Sequence, residues 1–286
     1  MTISSENVFD KIRNEYYDLT AAEKKTADFI LENRSETQYM SISELADSSG
    51  VAEASVTRFC RRLGYKGYSA FKLAVANSTA QPSVLSPLSG SVRDEDSFED
   101  MCQKIYSANM GAMTETLTLI DRHSMEKAAD LLEQAGTVLC MGQGGSMILA
   151  REAAHLFSTA GGKYFFVEDS HMQAIATTSL KDNDVVFFFS YSGATVDMMH
   201  ILRLARERGA KIILVTHFPK SPGAALADIV LQCGANESPL QLGSVAARIA
   251  QMFLVDVLFS ELCRRNLDAC RDTRQRIADA LSEKHL

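Results

Sequence analysis

No apolar run in the 286-residue sequence approaches the length of a membrane span. The N-terminus, MTISSENVFDKIRNEYYDL, carries early acids and no apolar h-region. A signal peptide is therefore not expected, and a cytoplasmic protein is. No Cys-x-x-Cys pair occurs: Cys60, Cys102, Cys140, Cys233, Cys263 and Cys270 are scattered. They read as buried thiols rather than disulfides or zinc ligands, so no metal is expected. No cofactor is expected either. What is present suits one large domain or two ordinary ones, with 46% hydrophobic residues for a core and 23% charged residues.

The net charge is −7, which by itself argues against a nucleic-acid partner. Acids are missing, however, from one long window. Between Glu53 and Asp94 there is no Asp or Glu, while Arg58, Arg61, Arg62, Lys66 and Lys72 all fall inside. A local basic patch matters more to a phosphate backbone than the whole-chain sum.

Residues 80–97, AQPSVLSPLSGSVRDEDS, combine Pro82, Pro87, Gly90 and five serines with little apolar periodicity. They read as a linker between domains at 1–79 and 98–286. Before it no convincing strand is found. In TAAEKKTADFILEN, apolar positions recur at helical spacing, and Thr20 with Glu23 forms a capping box. After it, oily runs at 137–142, 163–168, 184–190, 211–217 and 227–233 alternate with helical patterns at 146–160, 170–180, 195–208 and 242–265. Two further helical segments, 98–120 and 124–135, precede the first strand. The expected fold is an all-α N-terminal domain joined to an α/β domain with a mainly parallel five-stranded sheet flanked by helices.

In SISELADSSGVAEASVTRFCRRLGYKGYSAFK (41–72), Ser41 caps a short helix that buries Ile42, Leu45 and Ala46 and ends at Gly50. Val51 anchors the turn. A second helix from about Glu53 to Leu63 buries Val56, Phe59, Cys60 and Leu63, and Gly64 stops it. Two short helices, a turn with glycine and an Arg-bearing second helix meet the requirements of a helix-turn-helix. Ala54, Ser55, Thr57 and Arg58 are the candidates for base edges, and Arg61, Arg62, Lys66 and Lys72 for phosphates. The competing reading is a helical dimerisation module with a solvated basic face. The acid-free window, and the alternation of basic residues with Tyr65, Tyr68 and Phe71, favour DNA.

Two strand-to-helix turns in the second half share one design. In CMGQGGS, Gly142, Gly144 and Gly145 leave a strand and Ser146 opens a helix; in SYSGATVD, Ser190, Ser192, Gly193 and Thr195 do the same. Glycines admit close backbone approach, and free N–H groups at a helix start attract an anion. Two such turns at strand ends of one sheet are expected to converge on one ligand. Hydroxyls and N–H groups without a lysine in the loop suit a phosphate monoester; a triphosphate would demand a Walker lysine. Glycine and serine are also common in turns, but two matched turns favour the ligand. A dinucleotide site would begin with Gly142 and Gly144 and end at Glu168 or Asp169, yet its third glycine falls on Met147. No G-x-S-x-G is present for a serine hydrolase. Glu237 is a candidate for sugar hydroxyls or proton transfer, or a plain loop acid. His171 stands at a helix start; His155 and His200 have no partnering pattern.

These residues together resemble the RpiR family of bacterial transcriptional regulators, in which a helix-turn-helix precedes a sugar-isomerase (SIS) domain. MGQGGS, SYSGAT and the 41–72 stretch carry the likeness, and GSVAARIAQMFLVDVLF (243–259) resembles the family's closing helix. The resemblance implies a regulator of sugar-catabolism genes that senses a phosphorylated sugar. Ser146, Ser190, Ser192 and Thr195 would then hold the phosphate, with Glu237 near the sugar. A homodimer or homotetramer would place paired readers on a palindromic operator. The family often has Ser or Thr where Ala52 stands, so a weaker start of the second helix, or a cap from Glu53, is expected. The alternative is a sugar-phosphate isomerase using Glu237 or His171.

Overall fold

The computed structural model describes residues 7–79, 92–235 and 245–282. They fall into two compact units that divide within one helix, between Ser107 and Ala108; Val245 onward belongs to the second. Of the expected linker, 80–91 lies outside the described residues.

The first unit is helical: α1 (Val8–Glu15), α2 (Ala21–Glu32), α3 (Arg34–Thr37), α4 (Ile42–Ser49), α5 (Glu53–Arg62) and α6 (Tyr68–Thr79), with no strand among its described residues. The Thr20–Glu23 and Ser41–Glu44 capping boxes both form, satisfying the first free N–H groups of α2 and α4. Gly50 ends α4 at φ +63°, a left-handed conformation that glycine adopts without Cβ strain. One core gathers Phe9, Ile12, Ile30, Leu45, Val56, Phe59 and Phe71. Val51 packs against it from the turn, as its position in the sequence predicts. So do Tyr65 and Tyr68, and the Tyr68 hydroxyl donates to the Met40 carbonyl at 2.9 Å. The aromatic residues of this stretch thus serve packing.

The second unit holds the C-terminal part of α7 (Phe98–Leu119), then α8 (Arg122–Gln134), β1 (Val138–Gly142), α9 (Gly145–Ser158), β2 (Tyr164–Phe166), α10 (Ser170–Thr178), β3 (Val185–Phe189), α11 (Val196–Glu207), β4 (Lys211–Thr216), β5 (Ile229–Gln232), α12 (Val245–Arg265) and α13 (Leu267–Ser282). The five strands are all parallel in the order β2-β1-β3-β4-β5. Alternation on the strands sorts the faces. Cys140, Phe187 and Phe189 pack with α8, α9 and α12; Met141, Phe188 and Leu214 pack with α11 and the edge of α10. Phe187, Phe188 and Phe189 are almost wholly buried, each side chain contributing about 1.5–3 kcal/mol by burial.

One expectation needs correction. Cys102 is exposed, unlike Cys60, Cys140, Cys233 and Cys270, because α7 buries little of its surface. No disulfide links the described cysteines. A further helix, α13, follows α12 and buries Cys270.

Candidate functional site

The basic face of the first unit is built on α5. This helix buries Ser55, Val56, Phe59 and Cys60 as one stripe. Ser55 is therefore not a base reader: it lies one turn before Phe59 on the core side, 7% exposed. Its hydroxyl accepts from Arg58 Nη2 at 2.9 Å and so helps to orient that guanidinium. Ala54, Arg58, Arg61, Arg62 and Lys66 are exposed, and Thr57 and Lys72 half-buried. The Thr57 hydroxyl donates back to the Glu53 carbonyl at 3.1 Å. Arg62 lies 3.6 Å from the Glu23 carboxylate, which divides its charge between α2 and the surface. Burial pushes the Glu23 carboxyl up, but the bonds from Thr20 and the charges of Arg62 and Arg58 outweigh it and hold the group below its usual range. Among the described residues, Arg58, Arg61 and Lys66 have no ion-pair partner within 4.0 Å.

The start of α5 is uncapped. Ala52 has the extended backbone of an N-cap, φ −78° and ψ 149°, but supplies no side-chain bond. Glu53 does not replace it. Its carboxylate accepts a hydrogen bond from the Ser43 hydroxyl, tying the first turn of α5 to α4. A negative group there also suits the positive end of the helix dipole.

In the second unit, the sheet order reverses between β1 and β3: from β1 the chain moves outward to β2, then returns to β3 on the other side. Ligands bind open parallel sheets at such switch points, outside the carboxyl ends of the strands. Both turns singled out in the sequence are there. Gly142 pairs with Phe189 in the β1–β3 register, so residues 143–146 and 190–195 leave adjacent strand ends. The helices they open, α9 and α11, pack on opposite faces of the sheet. Neither N-cap, Gly144 or Thr195, makes a side-chain capping bond; in α9 the N–H groups of Ser146 and Met147 already donate to the Gln143 and Gly144 carbonyls at 3.1 and 3.2 Å, so the start of α11 is the one left open to an anion.

The glycines have distinct causes. A Cβ on Gly142 would stand 2.6 Å from the Ser146 carbonyl oxygen, because α9 folds directly over the strand end. Gly144 adopts φ +56° and ψ −129°, a conformation closed to side chains. Gly193, at φ +58°, is walled in by Ser221 and Thr216, and its carbonyl accepts from Gly223 N at 2.8 Å. Ser190 is buried, and its hydroxyl accepts from Gly193 N at 3.2 Å, shaping the turn from beneath. Ser192 and Thr195 are exposed and Ser146 half-buried. Ser192 accepts from Ala194 N at 3.3 Å.

Several supporting residues were not signalled by the motifs. Gln173, fully buried on α10, donates through Nε2 to the carbonyls of Gly142 at 3.2 Å and Val167 at 2.9 Å. Tyr191 donates from its hydroxyl to the Ala235 carbonyl at 2.7 Å, and its ring stacks on His217 at 5.1 Å. Arg248, on the first turn of α12, brings Nη1 within 3.7 Å of where a Gly145 Cβ would stand. No lysine occupies the loops, but this arginine puts positive charge beside them. Glu237 lies outside the described residues. His171 lines a hollow of about 530 Å³ between α10 and α11 with Asp197, His200 and Arg203, and no residue of either turn lines it. Glu168 pairs with Arg151 at 2.8 Å rather than standing as an open ribose acid. No cluster of metal-ligating side chains occurs among the described residues, and no described helix is long and apolar enough to cross a membrane.

Comparison with known proteins bears on both units. The model of the helix-turn-helix domain of the rpiR family matches residues 6–82, and that of the SIS domain matches 131–261. An uncharacterized HTH-type transcriptional regulator of Caldanaerobacter subterraneus is 34% identical over 88% of this chain and 89% of its own. The regulator HexR of Escherichia coli is 28% identical, over 97% and 95%. Among solved structures, Vibrio vulnificus NanR complexed with ManNAc-6P has a TM-score of 0.88 at 29% identity, covering 98% of this chain and 99% of that one.

Proposed function

The chain belongs to the RpiR family of helix-turn-helix transcriptional regulators, and from that premise we propose that it is a sensor whose hold on operator DNA is set by a phosphorylated sugar. The observation that carries this reading is the pair of uncapped helix starts, α9 and α11, at neighbouring strand ends of the switch point. The N–H groups at the start of α11 and the hydroxyls of Ser146, Ser192 and Thr195 are donors for a phosphate monoester, with Arg248 supplying positive charge nearby. Ser190 and the glycines shape the cradle, and Glu237 is assigned to the sugar. The ManNAc-6P held by NanR, a relative along its whole length, supports the same ligand class here.

Residues 1–79 are the DNA reader, 80–97 the linker and 98–286 the sensor. Ala54, Thr57 and Arg58 face base edges; Arg61, Lys66, Lys72 and in part Arg62 face phosphates. Pairs of readers in a homodimer or homotetramer match a palindromic operator. The controlled genes are those of sugar catabolism, and the site of action is the cytoplasm. The chain is a regulator rather than an isomerase, in keeping with its relatives. His171 lines a hollow with Asp197, His200 and Arg203 and has no part in this reading.

The test is the ligand response of Ser192→Ala combined with Thr195→Ala. In a thermal-shift screen of sugar phosphates, the wild type gains stability because the ligand binds only the folded state. The double variant loses that gain. An undiminished shift in the variant would remove the phosphate from these turns.

A further inference from the structure

Gln143 stands between Gly142 and Gly144, one residue beyond the β1–β3 pairing and thus level with the start of the Ser190 turn. Both polar atoms of its side chain, Nε2 and Oε1, are shielded from solvent and have no hydrogen-bond partner. A buried amide left unpaired is costly, so such a group calls for an explanation. The backbone offers none: the Gln143 carbonyl accepts from Ser146 N at 3.1 Å, a bond any residue makes. Gln173 is a useful contrast. It is buried at this strand end and its Oε1 is likewise unpaired, but its Nε2 is spent on the carbonyls of Gly142 and Val167, which gives it a structural role that Gln143 lacks. Gln143 pins nothing.

We propose that Gln143 is the specificity-determining residue of the effector site, its amide pairing with hydroxyls on the carbon chain of the sugar while the two turns hold the phosphate. The assignment rests on reading this site as a phosphorylated-sugar pocket. An amide donates and accepts at once, as a sugar hydroxyl does, so one side chain can serve two neighbouring hydroxyls. Its neutrality also matters. A carboxylate at this position would repel the phosphate and a lysine would pair with it, whereas the amide leaves phosphate binding to the turns and judges the sugar alone. Sites that hydrogen-bond a ligand hydroxyl reject analogues lacking it far more strongly than apolar pockets do.

The experiment uses the full-length protein as wild type and as Gln143→Met, which keeps the unbranched shape without the amide. Affinities are measured by thermal shift or calorimetry for inorganic phosphate and for a panel of aldose, ketose and acylamino-sugar phosphates including ManNAc-6P. In the wild type the panel is ranked, with the best sugar phosphate well above inorganic phosphate. In Gln143→Met the advantage of that sugar phosphate over inorganic phosphate falls about tenfold or more, the loss of a paired hydrogen bond. Without ligand the variant melts at or above the wild type, since an unpaired polar group has been replaced by an apolar one. A variant that retains the wild-type ranking overturns the assignment. So does one that melts lower while all affinities fall together, which would mark a purely structural side chain. If the wild type responds to no sugar phosphate and not to phosphate, the pocket reading itself fails and this assignment falls with it; a responsive wild type with an unchanged variant refutes Gln143 alone.

Discussion

Replacing Gly142 by alanine places a methyl group 2.6 Å from the Ser146 carbonyl oxygen and 2.8 Å from its carbonyl carbon. Both atoms are backbone, so no flexible side chain can swing aside. Restoring an ordinary contact of about 3.4 Å requires the first turn of α9 to retreat from β1 by roughly 0.8 Å, or the end of β1 to bend. Overpacking of this kind costs about 1–3 kcal/mol. For a unit of this size, each kcal/mol lowers the melting temperature by about 2–4 °C. The same retreat moves Ser146, at the start of α9, out of line with the start of α11. The Gly142→Ala protein is therefore expected to melt several degrees lower and to lose most of its stabilisation by sugar phosphate. The control is Gly161→Ala, where a Cβ meets nothing within 4 Å and φ is not positive; it should match the wild type in both respects. Circular-dichroism melts with and without ligand supply the comparison. A Gly142→Ala protein that melts and responds like Gly161→Ala would refute the reasoning, because the close approach of α9 to β1 would not then matter.

Three more outcomes follow from the first unit. Ala52→Ser supplies the missing cap of α5 in a backbone already extended for it, and urea unfolding should show a gain of about 1 kcal/mol. Glu23 has its carboxyl held below the usual 4.5 in the folded state, so it stabilises at neutral pH and that contribution is lost as pH falls through the lowered folded value. Glu23→Gln should accordingly be less stable than the wild type at pH 7, with the gap closing below about pH 4.5 in acid-unfolding curves. Arg61→Ala should weaken DNA binding across sequences and reduce the slope of log affinity against log salt by about 1, read by fluorescence anisotropy. A change confined to one base position would instead make Arg61 a base reader.

The sheet was legible because its strands are buried on both faces: VVFFFS and KIILVTH are continuous oil between turn residues, and their observed limits fall within a residue or two of the expected ones. The caps of α2 and α4 were legible for a local reason, a hydroxyl three residues before a glutamate. The burial of Ser55 was not, since a small polar residue gives no periodic signal and only the position of Phe59 one turn later shows which way it faces. α13 escaped notice because it buries only Cys270 and carries several arginines, so it has no stripe to read. In the candidate site, the two turns announced themselves by composition. Their neighbours did not. Gln173 and Arg248 reach the β1 turn from helices distant in sequence, and Tyr191 braces the end of β5 across the sheet. Such contacts depend on strand order, which alternation of strand and helix does not specify.

Whether the chain couples a sugar phosphate to DNA is measured most directly by titrating the full-length protein onto labelled DNA from its own promoter at several salt concentrations, with and without the sugar phosphate that gives the largest thermal shift. Binding should weaken steeply with salt, and the ligand should change the affinity in a way that Ser192→Ala with Thr195→Ala abolishes. Binding that ignores salt, or an affinity for DNA that the ligand leaves untouched, would contradict the proposed function.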